Sequence, residues 1–408
     1  MSSTSNDLSQ SSNPPRSRAP LEGILVLDIS QFLSGPSAAL RLGDLGARVI
    51  KIERPVSGDI CRTLYLTDTD VGGDSTLFHA INRNKESLAL DLKMPEDLAA
   101  LRQLIATADV LIQNFRPGVI DRLGLGYESV RALNPRLVYA GISGYGEAGP
   151  WSDMPGQDLL AQSLSGVTWL NGHDNDGPVP LGLSIADMLA GHVLTEGILA
   201  ALVRRGITGE GAVVQTSLME ALIDLQFELL TTHLNDGHRL PARAEFRNAN
   251  AYLAAPYGLY PTADGYLALA MMPLAQLADT LPLPLLHQYD AKAAFSQRDE
   301  IKRLIAKMLI QHTTAYWVAR LRPADVWCAE VLDWPRLLES ESFRRLDMLQ
   351  TVVREDSIAV HTTRSPLRID GGRAISHRAA PRVGQHSAAI RAEFGLPVSS
   401  PLPSGSRS

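Results

Sequence analysis

One carboxylate in this chain stands out by its surroundings. Asp187 lies in Gly182-Leu-Ser-Ile-Ala-Asp-Met-Leu-Ala-Gly191, at the head of a run that is apolar to about Arg204 (Ile185, Met188, Leu189, Val193, Leu194, Ile198, Leu199, Leu202). A helix apolar nearly all round is expected to be buried. Ser184-x-x-Asp187 is close to a capping box, in which the acid satisfies orphan amides and the helix dipole. The same carboxylate, held ionised by those amides, could instead serve as a nucleophile. Spacing alone leaves both readings open.

Three basic side chains, Arg54, Lys93 and Arg122, follow strand ends or lie just beyond them. Each alone reads as a solvated charge; together on one edge of a sheet they suit a ligand with several phosphates. The first strand-to-helix turn, Ser30-Gln-Phe-Leu-Ser-Gly-Pro36, is not a G-x-G-x-x-G fingerprint, which counts against a dinucleotide cofactor. A helix N-terminus there could still accept a phosphate. His79, His173, His192, His233 and His238 show no metal-ligand spacing, so no metal site is expected. There is no G-x-S-x-G elbow for a serine hydrolase.

These groups must be positioned by alternating strands and helices. Gly23–Ser30, Arg48–Glu53, Leu88–Leu92, Asp109–Gln113 and Leu137–Ile142 read as strands, with helices from Ser34-Gly-Pro36 to about Leu45 and from Pro95. Strands apolar on both faces predict a parallel sheet covered on both sides, with ligands at the carboxyl ends of the strands. A helix near Asp158, the central helix, a strand at Val213–Thr216 and a helix to about Leu234 follow. From about Pro241 the texture changes, and Tyr257–Leu269 reads as a hairpin around Asp264-Gly265. The expected organisation is a loose tail over 1–19 and a large Rossmann-like α/β domain over 20–240. A smaller α+β lobe spans 241–369, a segment returning to the large domain 370–396, and a second loose tail 397–408.

Composition narrows the classes. With 408 residues there is room for two domains, and a net charge of −6 argues against nucleic-acid or membrane-surface binding. No apolar run is read as long enough to span a membrane, and the Ser/Asn/Pro-rich start is no signal peptide. Cys61 and Cys328 match no metal or redox spacing, as expected of free thiols in a cytoplasmic protein.

From about residue 20 to 396 the chain resembles the class III CoA-transferases, the formyl-CoA:oxalate and carnitine CoA-transferase family, which also includes α-methylacyl-CoA racemases. The resemblance rests on segments in the right order: Leu21–Asp28, Ser34-Gly-Pro36, Gly43–Pro55, Asn84–Lys93, Asn114-Phe-Arg-Pro-Gly118, the Asp158 segment, Ala186-Asp187 and Thr208-Gly-Glu-Gly211. It implies an interlocked homodimer and coenzyme A as substrate, moved from an acyl-CoA to a carboxylic acid without ATP or metal. Asp187 matches the nucleophile, which forms a mixed anhydride and then an aspartyl-CoA thioester. Asp158 matches an acidic position that assists turnover. On the CoA side the matches are Arg54, Lys93, Asn114 and Arg122, with Gln31 and Ser34 near the first turn. A racemase needs proton carriers where this chain has Gln157 and Met272, and neither can shuttle a proton. A non-catalytic CoA-binding protein of the same fold is a further alternative. The family's glycine run is absent from Arg247–Pro256, and Leu33 stands where formyl-CoA transferase has a glutamine, so that enzyme's substrate pair does not carry over.

Overall fold

A computed structural model describes residues 19–246 and 248–397; the tails expected at 1–19 and 397–408 lie outside it, save Ala19 and Pro397. Its large domain is built on six parallel strands: β1 (Leu25–Asp28), β2 (Arg48–Glu53), β3 (Glu86–Ala89), β4 (Val110–Gln113), β5 (Val138–Ser143) and β6 (Ala212–Ser217). Their spatial order is β3-β2-β1-β4-β5-β6. The order reverses between β1 and β4, and there the carboxyl ends of the strands open a crevice. Alternation within each strand feeds two cores. Val26, Val49, Val110 and Val138 face one side, while Leu27, Ile50 and Leu111 face the other.

Helix α1 (Ser34–Asp44) leaves β1 through the first turn and packs on α4 (Ile185–Thr208), with α2 (Pro95–Ile105) on the opposite face of the sheet. Helix α1 starts two residues before Pro36, which then sits in the first turn, where a missing N–H costs nothing. Helix α3 (Asp158–Ser165) lies between β5 and α4 in sequence. The helix expected to run to Leu234 is two, α5 (Leu218–Leu225) and α6 (Phe227–Asn235). Gln226 breaks it by turning its side-chain amide onto the Leu222 and Ser165 carbonyls at 2.8 and 3.2 Å.

Helix α4 departs from two expectations. Its 24 residues are long and apolar enough to cross a membrane by length and composition, where the sequence was read as holding no such run. Its packing explains the apolarity: Ala186, Ala190, Leu194 and Ile198 are fully buried in the core with α1 and the sheet. The burial is one-sided, however. Val203 and Ile207, 69% and 84% exposed, leave the far face of its last turns uncovered.

The second lobe holds a three-stranded antiparallel sheet of β7 (Gly258–Pro261), β8 (Tyr266–Leu269) and β9 (Cys328–Glu330), with β8 in the middle. Tyr260, Leu267, Leu269, Ile301, Ile305 and Trp317 fill its core. A hairpin of β10 (Leu349–Val353) and β11 (Ala359–Thr363) then docks on the large domain, where Arg354 pairs with Asp74 at 3.1 Å and Arg83 donates to the Thr363 carbonyl. The last helix, α7 (Ser387–Phe394), lies along β3. The Ser87 amide donates to His386 Nδ1 at 3.1 Å, the Ala89 amide to Ser387 Oγ at 3.0 Å, and the His386 amide to the Ser87 carbonyl at 3.0 Å.

Candidate active site

Asp187 lies half-buried in the first turn of α4, yet it does not cap that helix. Asp158, at the head of α3, does so instead: its Oδ1 accepts from the Ala186 amide at 2.7 Å and from the Asp187 amide at 3.2 Å. Ser184 makes no side-chain cap, so the capping-box reading of Ser184 and Asp187 is not realised. The Asp187 carboxylate is turned to the start of α1, where the nearby amide and hydroxyl of Ser34 favour its ionised form. Burial, and then the Asp158 charge, push its pKa from 3.8 to about 6 against the lowering effect of Ser34. The helix amides thus do not hold Asp187 strongly ionised as expected; Asp158 occupies them. The result is a more basic carboxylate that still ionises below neutral pH.

Ser34 is set by the first turn. The side-chain amide of Asn114, just past β4, bonds Gln31 in both directions: the Gln31 amide donates to Oδ1 at 2.8 Å, and Nδ2 donates to the Gln31 carbonyl at 2.6 Å. Nδ2 also reaches Ser34 Oγ at 3.5 Å. Asn114 thereby joins the ends of β1 and β4 across the switch point. Phe32 adopts a left-handed φ of 62° to make the turn, a conformation costly for a non-glycine residue. A Cβ on Gly191 would meet Ser37 Oγ at 2.2 Å and the Ser34 carbonyl oxygen at 2.8 Å, so only glycine lets α4 approach α1 this closely.

Beneath the turn runs a buried ion network that sequence reasoning missed. Lys85 donates to Asp28, the Pro36 carbonyl and Asn82 at 2.8, 2.8 and 2.9 Å. Lys51 pairs with Asp59 at 2.7 Å and donates to the Ser30 carbonyl at 3.0 Å. Arg62 bridges Glu53 and Asp74 at 2.7 and 2.9 Å and stacks on Phe78. Burial lowers the Lys85 pKa to about 8, while for Lys51 the carboxylates, led by Asp28, outweigh burial and raise it. A lysine in the middle of the apolar strand Arg48-Val-Ile-Lys-Ile-Glu53 was the available signal, because lysines are almost never fully buried unless paired.

Arg54, Lys93 and Arg122 follow β2, β3 and β4 on the same carboxyl edge of the sheet, and all three are exposed. Among the described residues none of them is in an ion pair. Arg54 lines a cavity of about 540 Å³ with Gln31, Val56, Ile60 and Arg62. Asp158 with the Asp187 amide, and Asn114 with Gln31 and Ser34, thus form two bonded sets that meet where Asp187 faces Ser34, and of the three cations Arg54 shares a cavity with Gln31. Among the described residues no three histidine, cysteine or acidic side chains converge to hold a metal.

The family model for CoA-transferase family III matches residues 21–387. The chain belongs to this family. The family III chain is similar to the succinate–glutarate CoA-transferase of Agrobacterium fabrum strain C58, at 30% identity over 392 residues, 93% of this chain and 97% of that one. It is 32% identical over 396 residues to the acetyl-CoA:oxalate CoA-transferase of Acetobacter aceti, covering 94% of this chain and 98% of that one. The crystal structure of a CAIB/BAIF family protein from Brucella suis superposes with a TM-score of 0.80 at 29% identity, covering 92% of this chain and all of the other. CoA-transferase family III and its α/β fold are therefore as the sequence resemblance implied. At the two positions where the racemase pattern has proton carriers, Gln157 precedes α3 without a side-chain cap bond and Met272 packs on the second lobe's core.

Proposed function

We propose that this protein moves CoA from an acyl-CoA thioester to a carboxylic acid through covalent chemistry at Asp187. The observation that carries the proposal is the division of labour between the two acids: Asp158 takes the helix amides, which frees Asp187 for attack. The Asp187 oxygen attacks the thioester carbon and expels CoA thiolate, leaving a mixed anhydride. The thiolate then attacks Asp187 Cγ and releases the donor carboxylate, giving an aspartyl-CoA thioester. An acceptor carboxylate attacks the same carbon, and the sequence runs in reverse to the new acyl-CoA and free Asp187. No proton is gained or lost overall, and a partly dry site protects the anhydride from water.

Arg54, Lys93 and Arg122 hold the CoA phosphates in this reading, with Gln31, Ser34 and Asn114 shaping the turn beside the reacting carbonyl. The uncovered face of α4 supports an interlocked homodimer, a second copy covering what one chain leaves open. The protein would act in the cytoplasm. The relatives' names put succinyl- and acetyl-CoA first among donors to try, with glutarate and oxalate as acceptors, and oxalyl- and formyl-CoA complete the panel. Trapping each incubation with hydroxylamine and mapping peptides by mass spectrometry tests the proposal. A hydroxamate on the Asp187 peptide is expected, and Asp187→Ala should lose exchange while retaining CoA binding. Exchange near the wild-type rate in Asp187→Ala overturns it.

A further inference from the structure

Gln162, one turn after Asp158 on α3, is 1% exposed. Its side-chain NH2 donates to Asp158 Oδ2 at 2.6 Å and points at the carbonyls of Leu183 and Leu181, 3.2 and 3.4 Å away. Its carbonyl oxygen accepts from the Leu181 amide at 2.9 Å. One buried side chain therefore grips both the loop that enters α4 and the carboxylate that caps it. Asp158 in turn holds the amides of Ala186 and Asp187.

Asp158 has reason to leave this position. It lies near enough to Asp187 to raise that group's pKa, so the two like charges repel. Without the Gln162 donor, Oδ2 would be an unpaired, half-buried oxygen beside a second acid, and Asp158 would turn toward solvent. That turn frees the first-turn amides of α4 and lets the Asp187 backbone move. We propose that Gln162 is a positioning residue for CoA transfer, holding Asp158 on the α4 amides and so fixing where the Asp187 carboxylate stands. This rests on the function proposed above for Asp187.

Two substitutions separate this role from simple core filling. Gln162→Leu keeps the volume and removes every polar contact. Gln162→Glu keeps the shape, and its carboxyl can donate to Asp158 only while protonated. Once ionised, it sets a third negative charge beside Asp158 and Asp187, the charged side chains of this group. In Gln162→Leu, kcat should fall by about tenfold or more, with KM for acyl-CoA changed less than about threefold, because misplacing a reacting group costs rate before binding. In Gln162→Glu, activity should approach wild type near pH 6 and fall about tenfold by pH 8, while the wild-type rate completes its rise just above pH 6 and then holds level. Core filling alone predicts no such divergence.

Hydrogen–deuterium exchange on the peptide carrying Ala186 and Asp187 reads the clamp without activity, and faster exchange in Gln162→Leu is expected. Unchanged exchange, or a Gln162→Glu profile parallel to wild type, overturns the proposal. A wild-type protein that traps no acyl group, yet shows the faster exchange in the variant, supports the clamp and refutes the function assigned to Asp187. Should Gln162→Leu fail to fold, the pH profile of Gln162→Glu decides alone.

Discussion

Replacing Asp187 by asparagine removes one ionisable group and nearly keeps its shape, with a side-chain oxygen still able to accept from Ser34. Its effect on stability follows from the raised pKa. The folded chain holds the Asp187 proton up to about pH 6, whereas the ordinary value is 3.8. Between those values the native state binds more proton than the unfolded state, so wild-type stability falls as pH rises through the window and then levels off. A factor of ten in proton affinity is about 1.4 kcal/mol, which makes the cost of ionising Asp187 in the fold at most about 3 kcal/mol at neutral pH. Asp187→Asn has no such cost. Denaturant unfolding of both proteins, followed by tryptophan fluorescence from pH 4 to pH 8, should give nearly equal stabilities at pH 4. By pH 7.5 the inactive variant should be the more stable by about 2–3 kcal/mol. A gap that does not vary with pH, or a wild type more stable than the variant at pH 7.5, would refute the reasoning. The same ionisation predicts that the wild-type transfer rate rises through about pH 6 and then plateaus.

Asp158→Asn keeps an acceptor for the two α4 amides but removes the charge that raises Asp187, so the acid limb of the rate profile should move below pH 6; an unmoved limb would count against the pairing. Gly191→Ala forces α4 off α1 at the contact with Ser34 and Ser37. It should cost about 1–3 kcal/mol by overpacking, read as a lower thermal midpoint, and about tenfold or more in turnover, read as kcat. Arg54→Ala, Lys93→Ala and Arg122→Ala should each raise KM for acyl-CoA by about threefold to tenfold with little change in kcat, and weaken its salt dependence. Loss of kcat at constant KM would move those residues from phosphate binding to catalysis.

Much of the large domain was legible because a doubly covered parallel sheet writes a dense apolar signal. β2 spans the residues the pattern predicts, β4 starts one residue later, and β5 is shifted by one residue at both ends. β3 was read as Leu88–Leu92 but runs Glu86–Ala89. Its early residues are polar because their partners lie elsewhere in the chain: Ser87 donates to Glu53, and Glu86 pairs with Arg48 and Arg378. Asp187 was visible as a lone acid in an apolar run, but the group that satisfies its helix was not. Asp158 lies 29 residues upstream of the amide it serves, and no local pattern records that bond. Lys85 and Gln162 were hidden for the same reason, whereas Lys51 showed itself by its place in an apolar strand but its partners did not. The one-sided burial of α4 escaped because an all-apolar helix looks alike whether its second face meets its own chain or another.

The bonds between α7 and β3 also bear on how the protein behaves when crowded. β3 is the last strand on its side of the sheet, and a last strand normally presents bare amides and carbonyls on which another molecule can grow a sheet. Here the outward amides of Ser87 and Ala89 and the Ser87 carbonyl are taken by His386 and Ser387. The closing turns of the chain therefore act as a plug against edge-to-edge aggregation. A version ending before Gly384 would keep every group of the site described above, yet it would carry a sticky border and should form fibrillar or amorphous aggregates at concentrations where the longer chain stays dispersed.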